Sequence, residues 1–400
     1  MEAVILAAGE GERMRPLSVT RPKVMIPVAN KPLLEHLMLN FRTAGISEFV
    51  FVVGYREDVV RDYFGDGESW GTNIRYVRQE EQRGTADALW CVRGMVGERF
   101  LLANGDAVPG IDDLCRIVES EGLSVGVAEV PNAKGLGVVE VADGRIVRIH
   151  EKVAKPTTNL ANAGVYLLTT DIFQAVEETG QSTRGEYEIV DSLHWLIDRG
   201  FSIKYDVFDT WLHLTHPWEI LSANETLLSG LEPSNDAHVE SNATLHGAVS
   251  IGTGTTIKSG SYIVGPVIIG SHCDIGPNCF IRPATAIGDH CHIGAAVEIK
   301  NSLIMKNSKV PHHNYVGDSI IGEDCNLGSG TKIANLRFDK KDIKIRGRST
   351  GRRKLGAILG DGVQTGINAS INAGSIISPG VFIRPGAVAS GEISKDSRVH

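Results

Sequence analysis

Residues 251–287 read IGTGTTIKSGSYIVGPVIIGSHCDIGPNCFIRPATAI, and isoleucine recurs at every sixth position of this stretch. The period extends in both directions, from Val239 and Leu245 to Ile293 and Ile299, and small or compact residues stand four positions after each of these aliphatic residues. A fixed period of this kind is typical of a repeat architecture. β-Branched residues at period six, with glycines that permit turns, predict short strands that wind into a parallel β-helix with one continuous core.

This repeat resembles the left-handed β-helix of hexapeptide acyltransferases. The period stops after Leu303, in the stretch MKNSKVPHHNY at residues 305–315, and resumes at Val316, Ile321, Leu327 and Ile333. A charged segment at residues 338–355 comes before the last repeats, at Leu359, Thr365, Ile371, Ile377 and Ile383. Since regular sequences depart from their local rules mainly where function requires it, we expect functional residues in the first interruption.

The length and composition of the chain limit its class. Four hundred residues exceed what one hydrophobic core usually organises, so we expect two domains. The net charge of -8 argues against a nucleic-acid partner and favours small-molecule ligands. No apolar run approaches the roughly 18 residues of a membrane span, and the first residues, MEAVIL, lack the basic region of a signal peptide, so we expect a cytoplasmic protein without a membrane partner.

The six cysteines show no CxxC spacing that would indicate a metal or redox site. Four of them, Cys273, Cys279, Cys291 and Cys325, occupy the small inward position of the repeat. We therefore expect these four thiols to fill the core.

Near the N-terminus, a predicted strand at residues 3–7 leads into a glycine-rich turn that presents backbone N–H groups to an anion. The turn is neither a Walker A loop nor a dinucleotide fingerprint. The whole run at residues 6–23, LAAGEGERMRPLSVTRPK, closely resembles the signature of sugar-1-phosphate nucleotidylyltransferases. The resemblance implies nucleotide binding by Leu6, Ala8, Gly9 and Gly11, and catalytic cations at Arg13 and Lys23.

The segments that follow alternate between helix and strand patterns. We predict helices at residues 32–44 and 57–64, and strands at residues 48–53 and 74–77. This alternation predicts a parallel, Rossmann-like α/β domain. The turn-rich stretch GLEPSN at residues 230–235 then divides a nucleotidylyltransferase domain, residues 1–230, from a β-helix domain, residues 236–400.

Two motifs of the first half match positions that bind the nucleobase and the metal in the resembled family. Gln79 and the pair Gly84-Thr85 stand where a glutamine and a Gly-Thr pair frame the nucleobase. Asp106 ends a predicted buried strand, and ligands of open α/β sheets collect at the carboxyl ends of strands. A carboxylate at that place can hold Mg²⁺, which is also the role that the resemblance implies for Asp106.

The resemblance also implies a sugar site. It implies that Gly137 admits the sugar closely, that Glu151 and Asn162 hydrogen-bond its hydroxyl or acetamido groups, and that Lys152 lies near its phosphate. Residues 184–191, RGEYEIVD, resemble a further landmark of the family that packs a helix beside this pocket.

The run WLHLTHPW at residues 211–218 departs from the resembled pattern, because His213 stands where the relatives carry the second metal-binding aspartate. Imidazole is a poorer ligand for Mg²⁺ than for Mn²⁺ or Co²⁺. Three alternatives follow: His213 still binds the metal, Asp209 replaces it, or the metal site is weakened.

The second half resembles the acetyltransferase half of bifunctional N-acetylglucosamine-1-phosphate uridyltransferases. The matching residues are Arg282, Lys300, His312, Tyr315 and Asn326. The resemblance makes His312 the general base that deprotonates the amine of glucosamine 1-phosphate, a task that suits a pKa of about 6.5. It implies that Arg282 and Lys300 hold the sugar phosphate and that Tyr315 and Asn326 orient the sugar.

Asn335 falls where the relatives bind acetyl-CoA, and Lys341 and Lys344 are candidates for further cationic contacts. The segment 338–355 adds Arg346, Arg348, Arg352, Arg353 and Lys354. These cations either bind the phosphates of coenzyme A or form a solvated excursion from the repeat.

The leading hypothesis is a bifunctional enzyme that uses acetyl-CoA, UTP or dTTP, a hexose or hexosamine 1-phosphate and Mg²⁺, Co²⁺ or Mn²⁺, and that assembles as a homotrimer or a dimer of trimers. The second hypothesis is a nucleotidylyltransferase for glucose 1-phosphate whose β-helix only assembles subunits. A third is a non-catalytic sensor of sugar nucleotides. The segment 300–315 argues against the second hypothesis, and Arg13, Lys23 and Asp106 argue against the third.

Overall fold

The computed structural model describes residues 1–152, 155–395 and 397. The chain divides into two compact units: the first contains residues 1–10, 21–25 and 32–213, and the second contains residues 11–20, 26–31 and 214–400. In the part of the chain that the structure describes, every helix is too short or too polar to span a bilayer. The predicted domain division at residues 230–236 stays a prediction.

The first unit is built on a mixed nine-stranded sheet. Seven strands follow one another across it, namely Arg145–His150, Val138–Ala142, Leu160–Thr169, Arg99–Asn104, Glu2–Ala7, Glu48–Val53 and Asn73–Arg78. Two further strands extend it, with Leu123–Glu129 paired to Leu160–Thr169 and Ile203–Phe208 paired to Leu123–Glu129. The prediction of an α/β domain is thereby confirmed.

The predicted parallel arrangement holds for most of the sheet but not for two strands, Leu160–Thr169 and Arg145–His150. Glu2–Ala7 is parallel to both of its neighbours, as predicted. Leu160–Thr169, in contrast, runs antiparallel to Arg99–Asn104 and to Leu123–Glu129. Arg145–His150 is also antiparallel to Val138–Ala142, to which a two-residue turn joins it, whereas a parallel pairing requires a crossover connection that is usually helical.

The described part of the first unit contains six α-helices: Leu33–Thr43, Glu57–Phe64, Thr85–Trp90, Ile111–Glu119, Asp171–Glu178 and Ile189–Asp198. The predicted helices at residues 32–44 and 57–64 are confirmed to within one residue. Leu33, Leu37 and Phe41 repeat every fourth residue and are fully buried, so one face of the first helix packs on the core. Short 3-10 turns lie at Lys23–Met25 and Glu68–Trp70.

A small antiparallel pair completes the first unit and carries part of the candidate site. The strands Ala107–Pro109 and Trp211–His213 pair so that His213 lies opposite Ala107. This register brings residue 213 close to Asp106, which is about 100 positions away in sequence.

The second unit contains three columns of short strands that form the faces of the predicted β-helix, and all of their pairings are parallel. The first face contains Ser234–Asn235, Val249–Ile251, Val267–Ile269, Thr285–Ile287, Leu303–Ile304, Ile320–Ile321, Ala357–Leu359, Ser375–Ile377 and Glu392–Ile393. The second face contains His238–Val239, Thr256–Ile257, Asp274–Ile275, His292–Ile293, Lys309–Val310, Asn326–Leu327, Gln364–Thr365 and Phe382–Ile383. The third face contains Thr244–His246, Tyr262–Val264, Phe280–Ile281, Glu298–Lys300, Tyr315–Gly317, Lys332–Ile333, Ser370–Ile371 and Val388–Ala389.

The aliphatic residues of the six-residue repeat form the core of the β-helix. Ile251 pairs with Ile269, and Ile269 pairs with Ile287, so one coil of three sides takes 18 residues. These three side chains are at most 1% exposed. Full burial of each isoleucine contributes about 1.5–3 kcal/mol, which explains why so strict a period specifies the fold.

The predicted interruption of the repeat after Leu303 was wrong. Ile304, Val310 and Val316 pair with Ile287, Ile293 and Ile299, so the core continues without a break. The interval from Ile299 to Ile304 is five residues instead of six, because one residue is missing at the corner between the third and first faces. A strict six-residue period loses its register at that point.

The irregularities of the repeat collect at this same corner. The interval shortens there again between Val316 and Ile321, and the segment between Ile333 and Ala357 is inserted there one coil later. Asn301 and Asp318 turn the two shortened corners with φ of 44° and 49°. Asparagine and aspartate tolerate this left-handed conformation better than most residues.

The inserted segment folds back on the β-helix. Its strands Lys344–Ile345 and Arg348–Ser349 form an antiparallel hairpin, and the side chains of Ile343 and Ile345 are buried. Arg346 pairs with Glu392, and Arg352 pairs with Glu225 at 2.7 Å. Two of its cations are therefore already engaged by carboxylates of the same unit.

The second unit also contains the helix Glu219–Ser229, the 3-10 turns Glu12–Met14 and Leu17–Val19, and the short strand Pro27–Val28. The Thr20 hydroxyl donates a hydrogen bond to the Asp361 carboxylate at 2.6 Å, which ties the segment 11–20 to the β-helix.

Candidate active sites

The residues predicted to bind the nucleobase lie together in the first unit. The Ala8 carbonyl accepts a hydrogen bond from the Tyr55 N–H at 3.0 Å, and a Cβ at Gly54 would lie 3.1 Å from Ala8 and 3.2 Å from the Gln79 carbonyl. Gly84 has a φ of 129°, and a Cβ there would lie 2.3 Å from the Tyr187 carbonyl oxygen. Only glycine fits at position 84.

Gln79 is buried, and both donors of its side chain are used inside the protein. Its Nε2 donates to the Gly84 carbonyl at 3.2 Å and to the Asp87 carboxylate at 2.7 Å. The carboxylate contact fixes the orientation of the amide, because only the NH₂ group can donate to it. The Gln79 Oε1 is therefore the end of the side chain that can accept a hydrogen bond from a ligand.

Thr85 has a structural contact of its own. Its hydroxyl accepts a hydrogen bond from the Ile189 N–H at 3.0 Å, which holds the helix Thr85–Trp90 against the helix Ile189–Asp198.

Leu6 contacts the loop before Asp106, since its carbonyl accepts the Gly105 N–H at 2.9 Å. Gly9 is exposed just after the strand Glu2–Ala7.

Lys23, Asp106 and His213 converge at one end of the sheet. Lys23 Nζ forms an ion pair and hydrogen bond with Asp106 Oδ2, with side chains that are 14% and 24% exposed. His213 reaches the same place through its pairing with Ala107, and its ring stacks on Trp211 with centroids 5.1 Å apart. The Trp211 indole is held in turn by a 3.1 Å hydrogen bond to the Ala163 carbonyl.

The charges around Asp106 keep it ionised. Burial acts to raise the pKa of Asp106, but Lys23 and His213 outweigh it, and the pKa lies below its ordinary value. An ionised carboxylate beside an imidazole suits a divalent cation.

Asp209, the alternative ligand, lies elsewhere. Its side chain is 83% exposed and pairs with Arg116 at 3.2 Å. Its backbone N–H donates to Asp113 at 2.9 Å, at the start of the helix Ile111–Glu119. Of these two alternatives, His213 therefore lies beside Asp106, and Asp209 does not.

Within the described residues, no group of three or more His, Cys, Asp or Glu side chains could hold a metal ion. Mg²⁺ in nucleotide enzymes usually takes only one or two carboxylates and completes its shell with phosphate oxygens and water. The pair of Asp106 and His213 fits a cation of that kind, in which substrate oxygens provide the remaining ligands.

Three of the predicted sugar-binding residues also lie together. A Cβ at Gly137 would lie 3.1 Å from Glu151 Oε1 and 3.4 Å from Asn162 Cβ. The Asn162 N–H donates to the Gly137 carbonyl at 2.9 Å. Gly137 thus leaves room next to two side chains that can recognise hydroxyl or amide groups. Lys152, which follows Glu151 directly, is exposed and has a φ of 49°.

Tyr166 belongs beneath this site, although the sequence did not single it out. Asn162 Nδ2 donates to its hydroxyl at 2.9 Å, and burial raises the pKa of Tyr166 far above its ordinary value. Burial also raises the pKa of Glu151, with Arg184 opposing the rise and Glu188 adding to it. Tyr166 was missed because a tyrosine in a buried strand looks like any other core residue.

Gly11 and Arg13 belong to the second unit. Gly11 begins the turn Glu12–Met14 with a φ of 73°, and its carbonyl accepts a hydrogen bond from the Ser18 hydroxyl at 2.8 Å. Arg13 is exposed on this turn. Their assignment to the nucleotide remains a prediction.

The second candidate site is a polar cluster at the irregular corner of the β-helix. Lys300 Nζ lies 3.0 and 3.1 Å from the two carboxylate oxygens of Asp318. Asn335 Nδ2 donates to Asp318 Oδ2 at 2.5 Å and to the Tyr315 hydroxyl at 3.2 Å. Three predicted residues, Lys300, Tyr315 and Asn335, are therefore joined around an aspartate that the sequence analysis missed.

Arg282 lies one coil before Lys300 and has its own carboxylate partner. Its guanidinium donates to Glu298 Oε1 at 2.9 Å, and both side chains are 38% exposed. Each predicted phosphate-binding cation is therefore already paired with an acid. Burial, followed by Glu298 and Asp318, raises the pKa of Tyr315, so its hydroxyl stays protonated at neutral pH.

His312 and His313 form the turn before the strand Tyr315–Gly317, and both are exposed. The His312 carbonyl accepts hydrogen bonds from Gly330 N–H at 3.0 Å and from the Ser329 hydroxyl at 3.3 Å. His312 thus lies at the opposite end of the third face from Asp318. Asn326 belongs to the second face, where it pairs with Lys309 and Gln364.

Lys341 and Lys344 are exposed on the inserted segment. The Lys341 N–H donates to Asp339 Oδ1 at 3.2 Å, and the Arg337 guanidinium holds the pKa of Asp339 well below its ordinary value. Neither lysine takes part in the cluster around Asp318, so their proposed contacts with acetyl-CoA stay predictions.

The four cysteines of the repeat are buried, as predicted. Burial raises the pKa of Cys273 and of Cys279 to about 11, and their thiols lie close to backbone carbonyls of the next coil. Such thiols are poor nucleophiles at neutral pH.

Comparisons with known proteins match both halves of the chain. Residues 2–230 match the nucleotidyl transferase family, and residues 263–393 match the GMPPB C-terminal domain. The bifunctional protein GlmU of Methanocaldococcus jannaschii is 39% identical over 406 residues, which cover 100% of this chain and 97% of that protein. The bifunctional sugar-1-phosphate nucleotidylyltransferase/acetyltransferase of Sulfurisphaera tokodaii is 39% identical over 404 residues, which cover 98% of each chain.

A solved structure from Bacillus anthracis, assigned as a glucose-1-phosphate thymidylyltransferase in complex with a sucrose, is also similar. It is 27% identical, superposes with a TM-score of 0.54, and covers 59% of this chain and 98% of its own. The likeness covers only part of this chain, whereas the two bifunctional relatives match almost its whole length.

Proposed function

The chain belongs to the family of bifunctional sugar-1-phosphate nucleotidylyltransferase/acetyltransferases, and from that membership we propose the two reactions that it catalyses. Acetyl-CoA acetylates glucosamine 1-phosphate in the β-helix. The first domain then transfers the uridylyl group of UTP to N-acetylglucosamine 1-phosphate, which yields UDP-N-acetylglucosamine and pyrophosphate.

In the nucleotidyl transfer, a phosphate oxygen of the sugar phosphate attacks the α-phosphorus of UTP, and the bond to pyrophosphate breaks. This chemistry depends mainly on positioning and on cations that stabilise the developing charge. Lys23 and Arg13 supply positive charge. Asp106 and His213 hold a divalent cation, which neutralises phosphate charge when it is bound. Mg²⁺, Mn²⁺ and Co²⁺ are the candidates.

Gln79 and the residues around Gly137 position the two substrates. The Gln79 Oε1 accepts the N3–H of uracil or thymine, since both bases carry that donor, so UTP and dTTP are both candidates. Glu151 and Asn162 hydrogen-bond the hydroxyl or acetamido groups of the sugar, and Lys152 lies toward its phosphate.

In the acetyl transfer, the amine of glucosamine 1-phosphate attacks the thioester carbonyl of acetyl-CoA, and the bond from carbon to sulfur breaks as the thiolate leaves. His312 removes a proton from the amine. Lys300 and Arg282 hold the sugar phosphate, Tyr315 and Asn326 orient the sugar, and Asn335 and Lys341 bind acetyl-CoA. One observation above all supports this proposal: Lys300, Tyr315 and Asn335 meet around a single buried carboxylate.

We also propose that the β-helix assembles into a homotrimer. Large apolar side chains are exposed on the outer second and third faces, with Tyr262 at 46%, Phe382 at 68% and Val388 at 58%. Exposed apolar patches of this kind mark interaction surfaces, and a closed ring of three copies would cover them. Sedimentation equilibrium tests this, and a fully active monomer contradicts it.

Thiol release and pyrophosphate release test the two activities separately. Purified protein is incubated with acetyl-CoA and either glucosamine 1-phosphate or galactosamine 1-phosphate, and then with UTP or dTTP and N-acetylglucosamine 1-phosphate. Lys300→Ala should strongly lower thiol release and leave pyrophosphate release unchanged, while Lys258→Ala, which breaks an ion pair on an earlier coil, should retain both activities. If the wild type releases pyrophosphate but no thiol, the β-helix serves only for assembly.

A further inference from the structure

Asp318 is a buried acid at the shortened corner of the β-helix. It is 2% exposed, and its two carboxylate oxygens accept hydrogen bonds from three side chains. Oδ1 accepts from Lys300 Nζ at 3.1 Å and from Asn301 Nδ2 at 2.9 Å. Oδ2 accepts from Lys300 Nζ at 3.0 Å and from Asn335 Nδ2 at 2.5 Å.

These partners satisfy the carboxylate from within the protein. A buried charge is tolerated only when it is paired and hydrogen-bonded, and Asp318 meets both conditions. Because both oxygens already accept from protein donors, Asp318 is not placed to touch a substrate. It can affect the reaction only by positioning the side chains that donate hydrogen bonds to it.

The groups around Asp318 are the ones assigned to both substrates of the acetyl transfer. Lys300 is assigned to the sugar phosphate, Asn335 to acetyl-CoA, and Tyr315, which contacts Asn335 at 3.2 Å, to the sugar. The backbone of Asp318 also contacts the end of the inserted segment. Its carbonyl accepts a hydrogen bond from the Gly356 N–H at 2.7 Å, where that segment returns to the coil.

We propose that Asp318 is the positioning residue of the acetyl-transfer site, because it fixes Lys300 and Asn335, and through Asn335 also Tyr315, in one arrangement. This inference rests on the proposed acetyltransferase activity. The ion pair with Asp318 restricts the flexible Lys300 side chain before any ligand binds. Preorganisation of this kind lowers the entropy cost of binding and keeps the reacting groups aligned.

The β-helix contains an ion pair that serves as a matched control. Lys258 pairs with Asp274 at 2.5 Å on the second face, but Asp274 is 44% exposed and also contacts His292. An exposed pair of this type contributes little to stability. Asp274→Asn therefore removes the same type of ion pair from the same fold, away from the cluster around Asp318.

The test is the kinetics of the Asp318→Asn variant in the full chain. We expect kcat/KM for acetyl transfer to fall by about 10²-fold, since misplacing a positioning group by about 1 Å costs that much. The KM values for glucosamine 1-phosphate and for acetyl-CoA should both rise, because Asp318 joins residues assigned to each. Uridylyl transfer from N-acetylglucosamine 1-phosphate should stay unchanged, as should both activities of Asp274→Asn.

A double variant separates positioning from simple stabilisation. If Asp318 acts partly through Lys300, then Lys300→Ala combined with Asp318→Asn should lose less acetyl-transfer rate than the product of the two single losses. The double variant should also recover thermal stability relative to Lys300→Ala, which leaves a buried charge without its ammonium partner. Losses of acetyl-transfer rate that multiply instead would overturn the proposal.

Two other results would also overturn it. One is an Asp318→Asn protein with the acetyl-transfer kinetics of the wild type. The other is a wild type that releases no thiol, which would remove the proposed activity as well. If Asp318→Asn fails to fold, Asn301→Ala leaves the carboxylate in place with one donor fewer. That variant should raise the KM for glucosamine 1-phosphate by roughly threefold, and an unchanged KM would count against the role of Asp318.

Discussion

The ammonium group of Lys23 forms an ion pair with the carboxylate of Asp106, just beyond the carboxyl end of the strand Arg99–Asn104. Asp106 is thereby kept ionised, and Lys23 is held near the place where phosphate charge develops in the proposed nucleotidyl transfer. This pair lies outside the β-helix, so it should affect only one of the two activities.

Lys23→Ala should lower kcat for uridylyl transfer by about 10²-fold or more, because it removes a cation that stabilises the transition state. Pyrophosphate release measures this effect, and thiol release from acetyl-CoA should stay normal. Lys204→Ala is the control, since Lys204 is an exposed lysine on the strand Ile203–Phe208. Near-normal pyrophosphate release by Lys23→Ala would remove Lys23 from the mechanism.

His213 should broaden the metal preference of the nucleotidyl transfer. Imidazole binds Mg²⁺ weakly, whereas its affinity for divalent transition metals follows their usual order. Mn²⁺ or Co²⁺ should therefore support the reaction at least as well as Mg²⁺. His213→Asp should shift the preference toward Mg²⁺. Asp209→Asn should leave the metal profile unchanged, because Asp209 pairs with Arg116. A metal profile that His213→Asp does not alter would show that His213 is no ligand.

The β-helix could be predicted from the sequence because one short period determines both the strand and its burial. Every sixth residue must face the core, and isoleucine occupies seven such positions in a row between residues 251 and 287, which fits neither the period of a helix nor that of an ordinary strand. The strict period also caused the main error. A single missing residue between Ile299 and Ile304 looked like an interruption, although the strand pairing tolerates a shorter corner.

That shortened interval was the feature of the sequence from which Asp318 could have been identified as a candidate site residue. It marks one corner of the coil, and the next shortened interval and the insertion mark the same corner again. The sequence alone did not show that the three departures coincide in space, because that requires knowing which face each strand joins. The pairing of His213 with Ala107 was hidden for a similar reason, since it joins residues about 100 positions apart.

Gly137→Ala should weaken binding of the sugar phosphate in the nucleotidyl transfer. The new methyl group would lie 3.1 Å from Glu151 Oε1, so it would push that carboxylate away, and it would contact Asn162 Cβ at 3.4 Å, so it would fill space beside both side chains assigned to the sugar. We expect KM for N-acetylglucosamine 1-phosphate to rise by roughly tenfold, with a smaller change in the KM for UTP. Gly180→Ala, whose Cβ meets nothing within 4 Å, should behave as the wild type. Equal KM changes for the two substrates would argue against a sugar site at Gly137.

His194 should make the strand that leads to Glu151 sensitive to acid. Its Nε2 accepts the Ile149 N–H at 3.0 Å, and burial, aided by Arg148, lowers the pKa of His194 below its ordinary value. A lowered pKa means that the unfolded state binds more protons, so the stabilising effect is present above about pH 6.5 and is lost as the pH falls. Hydrogen exchange of the Ile149 amide, corrected for its intrinsic rate, should accelerate below that pH. His194→Gln should remove this acid dependence, and an unchanged dependence would exclude His194 as its cause.

The role of His312 distinguishes a bifunctional enzyme from a nucleotidylyltransferase whose β-helix serves only for assembly. It lies in the turn before the strand Tyr315–Gly317, at the end of the third face away from Asp318, and it is exposed. Its neighbour His313 shares that exposure and that turn, which makes it the matched control.

His312→Ala should lower kcat for acetyl transfer by about 10²- to 10⁴-fold, the usual effect of losing a positioned general base, with little change in the KM for acetyl-CoA. His313→Ala should lower it far less. Uridylyl transfer from N-acetylglucosamine 1-phosphate should persist in both variants, because it uses Lys23 and Asp106. If His313→Ala is the slower variant, the general base is His313. If neither variant slows thiol release, proton transfer depends on a different group, and the assignment of the turn at residues 312–313 is wrong.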